Sequence, residues 1–296
     1  MVREEDWETI RGPARIENHD RRMRVTLRGG RPALAALLAV SVLVVACDST
    51  SPKAPVSFSL ASASDSTVLL QWAEPSAGTP EAYLVYFKPA GETLFGLVAE
   101  TLATKYEHFP LGAAGDYRVS ARFGDATYEA DGELSTRPVW TDTVAVAELN
   151  ATGNSGYGWD RSSGRGRTYP MRERASRTSV DFYITDFKPA ALPMLPYSVA
   201  SPSMGPADAG AVVPEDTWRS NRFTDPLAGE QSPLPSATIP VYYNYGDVSQ
   251  LPGYIGCFTA DSHYALVKVV AVDTANGWAR LETWFQPVKG LRLISH

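Results

Sequence analysis

Leu111-Gly-Ala-Ala-Gly-Asp-Tyr117-Arg-Val119-Ser-Ala121 is the stretch from which the fold class of this chain is read. Its second half alternates apolar Tyr117, Val119 and Ala121 with polar Arg118 and Ser120, the period of a strand with one buried face. The same period recurs upstream in Val56-Ser-Phe58-Ser-Leu60, Thr67-Val-Leu-Leu-Gln-Trp72, Tyr83-Leu-Val85-Tyr-Phe87 and Leu94-Phe-Gly-Leu-Val98, and downstream in Ala126-Thr-Tyr128-Glu-Ala130. Farther along, Val144-Ala-Val146-Ala-Glu-Leu149, Val180-Asp-Phe182-Tyr-Ile184, Val241-Tyr-Tyr243-Asn-Tyr245, Tyr264-Ala-Leu-Val-Lys-Val-Val270 and Ala279-Arg-Leu281-Glu-Thr-Trp284-Phe read as strands as well. Nothing beyond Cys47 sustains a helical period, and Gly, Pro, Ser and Thr punctuate the alternation. The expectation is an all-β protein. Its roughly 250 residues after Cys47 suit two domains better than one small sandwich.

In order and spacing, residues 55–138 resemble the fibronectin type III family. Trp72 stands where that family buries a tryptophan near the end of its second strand, Tyr83-x-Val85-x-Phe87 matches the third strand, and Leu111 to Tyr117 matches the tyrosine corner. The resemblance covers about 85 residues and implies an Ig-like sandwich with Trp72, Tyr83 and Tyr117 in its core. It also implies that the Tyr117 hydroxyl returns to the backbone just upstream. The expected role is a spacer, since such a domain carries no chemistry of its own. His108 reads as a residue on a strand's pairing face rather than a metal ligand.

Before this domain, Arg31 to Cys47 reads RPALAALLAVSVLVVAC, with basic Arg24, Arg28 and Arg31 leading into about 14 apolar or small residues. A transmembrane helix needs roughly 20 apolar residues, and this run stops at the polar tether Cys47-Asp48-Ser49-Thr50-Ser51-Pro52. Val44-Val45-Ala46-Cys47 resembles the lipobox of bacterial lipoproteins, in which the cysteine becomes the acylated first residue of the mature chain. That resemblance implies a signal peptide over 23–46, a tether over 47–54, a lipid anchor at Cys47, and a place on the inner or outer membrane of a bacterial envelope. Residues 1–22 are acidic for a signal n-region, so translation from Met23, or disorder of 1–22, is expected.

Of the 27 basic and 33 acidic residues, 8 and 6 respectively precede Cys47, leaving a mature net charge near −8. Nucleic acid is therefore excluded as a partner, because phosphate neutralisation needs an excess of Lys and Arg. The second of the two cysteines, Cys257, is left without an intramolecular partner and reads as a small buried hydrophobe.

Residues 139–296 are expected to form a larger, irregular β-sandwich. A proline-rich excursion at 188–240, with ten prolines and little alternation, interrupts it. Asn276-Gly277 predicts a tight hairpin turn with both residues at positive φ. The hairpin from His263 onward resembles the closing hairpin of a group of bacterial lipoproteins that includes the haem-carrying HmuY-like proteins. That carrier uses two histidines, whereas here His108 lies in the other domain and His296 is terminal, so no cofactor is expected.

Three constellations suggest a site. Arg161, Arg165, Arg167, Arg172, Arg174 and Arg177 form an arginine-rich loop able to grip carboxylates or phosphates, or simply to be solvated. Tyr242, Tyr243, Tyr245 and Tyr254, with Trp159, Trp278 and Trp284, could supply an aromatic ligand face. Asp160, Asp181, Asp186 and Asp247 are calcium-type carboxylates whose spacing follows no known loop. The ligand-binding candidates are accordingly Trp159, Arg161, Arg165, Arg167, Tyr243, Tyr245 and Trp284, on a concave face rimmed by the arginine loop. No nucleophile elbow, zinc motif or nucleotide loop occurs, and no Asp or Glu stands in a telling apolar context. The leading expectation is a non-catalytic, lipid-anchored envelope protein whose C-terminal domain binds a glycan, peptide or small molecule. The alternatives are a structural lipoprotein docking an envelope protein and a secreted hydrolase.

Overall fold

A computed structural model of the chain describes residues 51–187, 197–209, 212–238, 242–248 and 250–296. The segment read as a signal peptide, Cys47 and the first half of the expected tether, residues 47–50, lie outside the described residues. Eight strands make the first sandwich: β1 (Val56–Ser62), β2 (Val68–Ala73), β3 (Ala82–Pro89), β4 (Gly96–Thr101), β5 (Lys105–His108), β6 (Gly115–Phe123), β7 (Ala126–Glu129) and the two-residue β8 (Leu134–Ser135). One sheet runs β1-β2-β5; the other runs β4-β3-β6-β7, with β8 paired to the start of β6, and every pairing is antiparallel. The alternation seen in the sequence delivers the core: Val68, Leu70 and Trp72 from β2, Tyr83, Val85 and Phe87 from β3, and Tyr117, Val119 and Ala121 from β6. Between β3 and β6 the backbones approach closely at Gly115, where a Cβ would sit 2.2 Å from the Lys88 carbonyl oxygen.

The tyrosine corner departs from its expected form. Tyr117 is fully buried, but its hydroxyl lies 2.8 Å from Nδ1 of His108 at the end of β5 rather than on the upstream backbone. Leu111, at the head of that stretch, is 82% exposed with φ 54°, so it turns away from the core instead of filling it. His108 packs edge-on against Phe87 and Tyr117, and burial lowers its pKa from the usual 6.5. Burial likewise lowers His263, whose Nδ1 faces the Gln286 carbonyl at 3.0 Å. Below 6.5 the unfolded chain takes up protons that the folded chain refuses, so this stability is present above 6.5 and lost as pH falls. Urea titrations at about pH 7.5 and 5.5 should therefore show a drop in unfolding free energy on acidification, and His108→Gln should make that drop smaller.

The second sandwich contains β9 (Val139–Ala147), β10 (Gly156–Trp159), β11 (Gly166–Tyr169), β12 (Phe182–Thr185), β13 (Ser198–Ala200), β14 (Arg222–Thr224), β15 (Tyr242–Tyr243), β16 (Tyr245–Asp247), β17 (Gly253–Phe258), β18 (Tyr264–Asp273) and β19 (Trp278–Phe285). They form a six-stranded sheet ordered β15-β14-β17-β18-β19-β9 and a five-stranded sheet ordered β11-β10-β12-β13-β16. The facing surfaces bury Tyr157, Trp159, Phe182, Phe223, Cys257 and Phe285 among aliphatic side chains. Cys257 is free and fully buried, and burial pushes its thiol well above the usual range, so it packs as a hydrophobe. The β18–β19 connection is a four-residue turn rather than the two-residue Asn-Gly turn expected. Of its residues only Gly277 lies at positive φ (70°), and Asp273 caps the turn by accepting from Ala275 and Asn276.

The proline-rich excursion has a structural purpose. The expected irregular excursion in fact supplies β13 to the five-stranded sheet and β14 to the six-stranded one, and other described parts of it cover the apolar outer faces of both. On the five-stranded sheet, Val213 and Trp218 pack on Leu149, Met171, Tyr183 and Ala200. On the six-stranded sheet, Leu234 and Ala237 pack on Tyr242, Tyr264, Leu266 and Trp284. Two tyrosine hydroxyls tie this second strap down: Tyr242 donates to the Pro235 carbonyl at 2.9 Å, and Tyr264 accepts from the Ala237 N–H at 3.0 Å.

The segment after β19 returns to the first sandwich, crossing the 138/139 boundary read from the sequence. Leu291 and Leu293 are fully buried in the core built by β2, β3 and β6. Between them Arg292 pairs with Asp65 at 3.1 Å and donates to the Leu234 carbonyl at 2.6 Å. Gln286, also buried, donates to the carbonyls of Thr136 (2.9 Å) and Leu293 (2.6 Å). Ser232 and Ser236 of the strap reach Gly112 and Asp65 of the first sandwich. Residues 51–296 thus pack as one unit rather than as two beads on a linker.

Candidate functional site

Period-two geometry decides which side chains reach the outer face of the six-stranded sheet. On β18, Ala265 and Val267 point into the sandwich, so Leu266 and Lys268 point out; on β19, Ala279 and Leu281 point in, so Glu282 and Trp284 point out. In the register Lys268 lies opposite Glu282 and Trp284 opposite Trp140 of β9. The strap and the returning tail cover most of this face but leave one end open. There Trp140, Lys268, Glu282 and Trp284 form the floor, and Glu230 and His296 the wall, of a pocket of about 360 Å³.

Charge and ring contacts organise the pocket. The Lys268 ammonium lies 3.2 Å from a Glu282 carboxylate oxygen and 4.0 Å from one of Glu230. Burial works to lower the Lys268 pKa, but Glu282, with Tyr254 and Glu230, outweighs it and holds the ammonium above its usual value. Thr143 donates to the other Glu282 oxygen at 3.4 Å. The His296 ring stacks on Trp284 with centroids 4.6 Å apart, and its Nε2 lies 3.6 Å from Glu230. Trp284 is therefore covered and 3% exposed, whereas Trp140 beside it is 48% exposed. A 48% exposed indole next to two carboxylates and an ammonium is a surface that stacks on flat apolar groups and hydrogen-bonds polar ones.

The sequence candidates are scattered by the fold. Trp159 and Trp284 lie in different cores, on the two faces of the six-stranded sheet, so they share no ligand surface. Trp159 is 3% exposed, stacks on Phe285 and donates Nε1 to Thr283 at 3.1 Å. Arg161 turns inward, its guanidinium on Asp181 (2.7 and 2.9 Å) and Asp261 (2.6 and 2.9 Å). Arg165 points to solvent; Arg167, also exposed, lies over the Tyr169 ring and donates to its hydroxyl at 2.7 Å. Arg174 and Arg177 pair with Asp216. Tyr243 is exposed on β15, at the far edge of the sheet from β9, and half-buried Tyr245 meets Phe187. The arginine-rimmed aromatic face does not assemble. Of the seven candidates only Trp284 lines the pocket described above. Trp140, Lys268, Glu230, Glu282 and His296 were not singled out from the sequence; their signal is the polar position on an apolar strand face, legible for Lys268 and Glu282 once the register is known.

The remaining carboxylates are committed elsewhere. Asp181, fully buried, accepts from Arg161, Arg219, Asn221 and the Trp159 N–H, which corrects the reading that no acid stands in an apolar context. Asp160 caps the turn at Ser162 and Ser163, and those hydrogen bonds hold it well below the usual carboxylate range. Asp247 accepts from Ser198 at 2.8 Å. Among the described residues no three His, Cys, Asp or Glu side chains converge as a metal site would require. A wider depression of about 670 Å³ at the β18–β19 turn is lined by Glu148, Asn150, Asp186, Tyr197 and Asn276. There burial, with Asp186 and Asp208 nearby, raises the Glu148 carboxyl above its usual value against the Asn150 hydrogen bond.

No protein-family model matches this chain, and no curated protein matches it. Among solved structures, the crystal structure of FN3tt is similar at 18% identity over 28% of this chain and 90% of that chain, with a TM-score of 0.22. Among the described residues no helix is long and apolar enough to cross a membrane.

Proposed function

We propose that this chain is a non-catalytic, surface-tethered binding protein of a bacterial envelope. Cys47 carries the lipid anchor, and the pocket at Trp140 and Trp284 takes an extracellular ligand. The observation that carries the binding reading is an open pocket on a sheet face that strap and tail partly roof, with a half-exposed indole on its floor. Glu230 and Glu282 both contact the same ammonium, Lys268, which favours a binding role for them over the paired acid and base of a hydrolase. The first sandwich, with its fibronectin type III-like pattern, serves as a rigid spacer, since the tail and strap lock it to the second.

Two measurements test this. Intact mass of the membrane-extracted protein should begin at Cys47 with acyl chains added, and Cys47→Ala should lose both the chains and the membrane fraction; an unmodified Cys47 would remove the tether. Tryptophan fluorescence against a mixed panel of neutral sugars, amines, carboxylates and short peptides should find at least one class that binds the wild type and binds Trp140→Ala more than tenfold more weakly. Binding by no class, or equal binding by both proteins, would remove the site.

A further inference from the structure

We infer that the pocket selects a neutral, hydroxyl-rich saccharide, one ring face of which stacks on Trp140 while its hydroxyls are shared among Glu282, Glu230 and Lys268. This rests on the binding reading above. Three features of the pocket point to that class.

The first is the platform. Trp284 is covered by the His296 ring, so the indole offered to a ligand is Trp140, 48% exposed and set at the edge of the sheet on β9. An exposed indole face is flat, apolar and electron-rich. It stacks on the C–H face of a pyranose as readily as on an aromatic ring, so the lining must decide between them.

The second is the charge pattern. Two carboxylates flank one ammonium within 3.2 and 4.0 Å. The carboxylates repel an anionic ligand, and the Lys268 ammonium already fills the place between them that a ligand's cation would take. A neutral ligand meets neither penalty. It must nonetheless satisfy acceptors and a donor together, because the carboxylates only accept and the ammonium only donates. Hydroxyl groups do both; an aromatic or aliphatic ligand does neither and would desolvate these groups while leaving their remaining hydrogen-bonding positions unfilled.

The third is shape. At about 360 Å³ and open to one side, the pocket suits one or two sugar rings at the end or side of a longer chain rather than an enclosed small molecule.

The test uses the full-length acylated protein in a sugar-free detergent. Calorimetric titrations would compare neutral glucose-, galactose-, mannose- and N-acetylglucosamine-based oligosaccharides with their uronic acid and amino-sugar counterparts. The expected result is at least one neutral oligosaccharide bound tenfold or more tightly than its charged counterparts. Trp140→Phe should stay within severalfold of wild type and Trp140→Ala should lose more than tenfold, with both variants melting like wild type. Glu282→Gln, which takes one negative charge from beside Lys268, should narrow the discrimination against the uronic acid. Preference for a charged sugar, or saccharide binding indifferent to Trp140, would overturn the saccharide assignment while leaving a binding site in place. Silence from the sugars with a response to another class in the fluorescence panel would do the same, and silence from every class would remove the binding reading itself.

Discussion

Leu293→Ala is expected to destabilise the protein by about 2–5 kcal/mol, the usual cost of emptying a leucine site that cannot collapse. The residue belongs to the tail that follows β19, yet it is fully buried among Val68, Leu70, Trp72, Tyr83 and Tyr117 of the first sandwich. The flanking hydrogen bonds of Arg292 and Gln286 fix the tail on both sides, so it has little freedom to fill the gap. Because that tail joins the two sandwiches, the loss should appear in both. Urea unfolding followed by tryptophan fluorescence and by far-ultraviolet circular dichroism should give coincident transitions, both shifted together. A cost under about 1 kcal/mol, or two separated transitions, would show that the tail does not unite the two cores.

Asp181→Asn should cost about 3–5 kcal/mol, the range for stripping one partner from a buried charged cluster. The Asp181 side chain is fully buried and receives two guanidinium groups, Arg161 and Arg219, besides the Trp159 N–H and the Asn221 amide. An amide in its place presents one acceptor and one donor where two acceptors are needed, and leaves two cations facing each other. Arg161 also anchors Asp261, holding that carboxyl well below its usual range against the opposing effect of burial. Breaking Asp181 therefore loosens the β10–β11 turn and the β17–β18 turn together. Arg161→Lys should lose most of the same stability, since an ammonium cannot make the paired contacts of a guanidinium to both acids. Denaturation midpoints read by fluorescence check both variants, and a change below about 1 kcal/mol would mean the cluster is solvated rather than structural.

Much of the architecture was legible in the sequence because strands announce themselves by alternation. Val68 to Trp72, Tyr83 to Phe87 and Tyr117 to Ala121 lie in strands with the inward residues that their period gives. What escaped was long-range. The apolar residues of Leu291-Arg-Leu293-Ile follow a proline and a glycine and look like a fraying end, and nothing local says that their partners are Leu70 and Tyr117. The arginine loop misled for a related reason. Gly-spaced arginines look solvated, but Arg161 belongs to Asp181, and the signal for that pairing was an aspartate set between Val180 and Phe182. The proline-rich excursion shows no period because the strands it contributes, β13 and β14, are three residues each, and its other apolar residues seal the faces of the two sheets that those strands join.

The pocket was the least legible element. Its floor joins β9 to β19, strands far apart in sequence, at the cross-strand pair Trp140–Trp284. Trp140 sits just past the boundary drawn between the two domains, ahead of the first strand read for the second one at Val144. Of its partners, Lys268 stands between the apolar Val267 and Val269 of β18, and Glu282 is one of three polar residues on β19, with Arg280 and Thr283. Only the register turns these isolated residues into one surface.

The most direct test of the account is a two-dimensional NMR spectrum of the tryptophan indole N–H groups in the full-length protein, with Trp140→Phe assigning one resonance and Trp284→Phe the other. The spectrum would be recorded during titration with the tightest-binding neutral oligosaccharide. The account predicts that the Trp140 resonance shifts most, that Trp284 follows, and that the buried indoles of Trp72 and Trp159 stay fixed. Shifts centred on Trp218 or Trp278 with Trp140 unmoved, or no shift at saturating sugar, would contradict it.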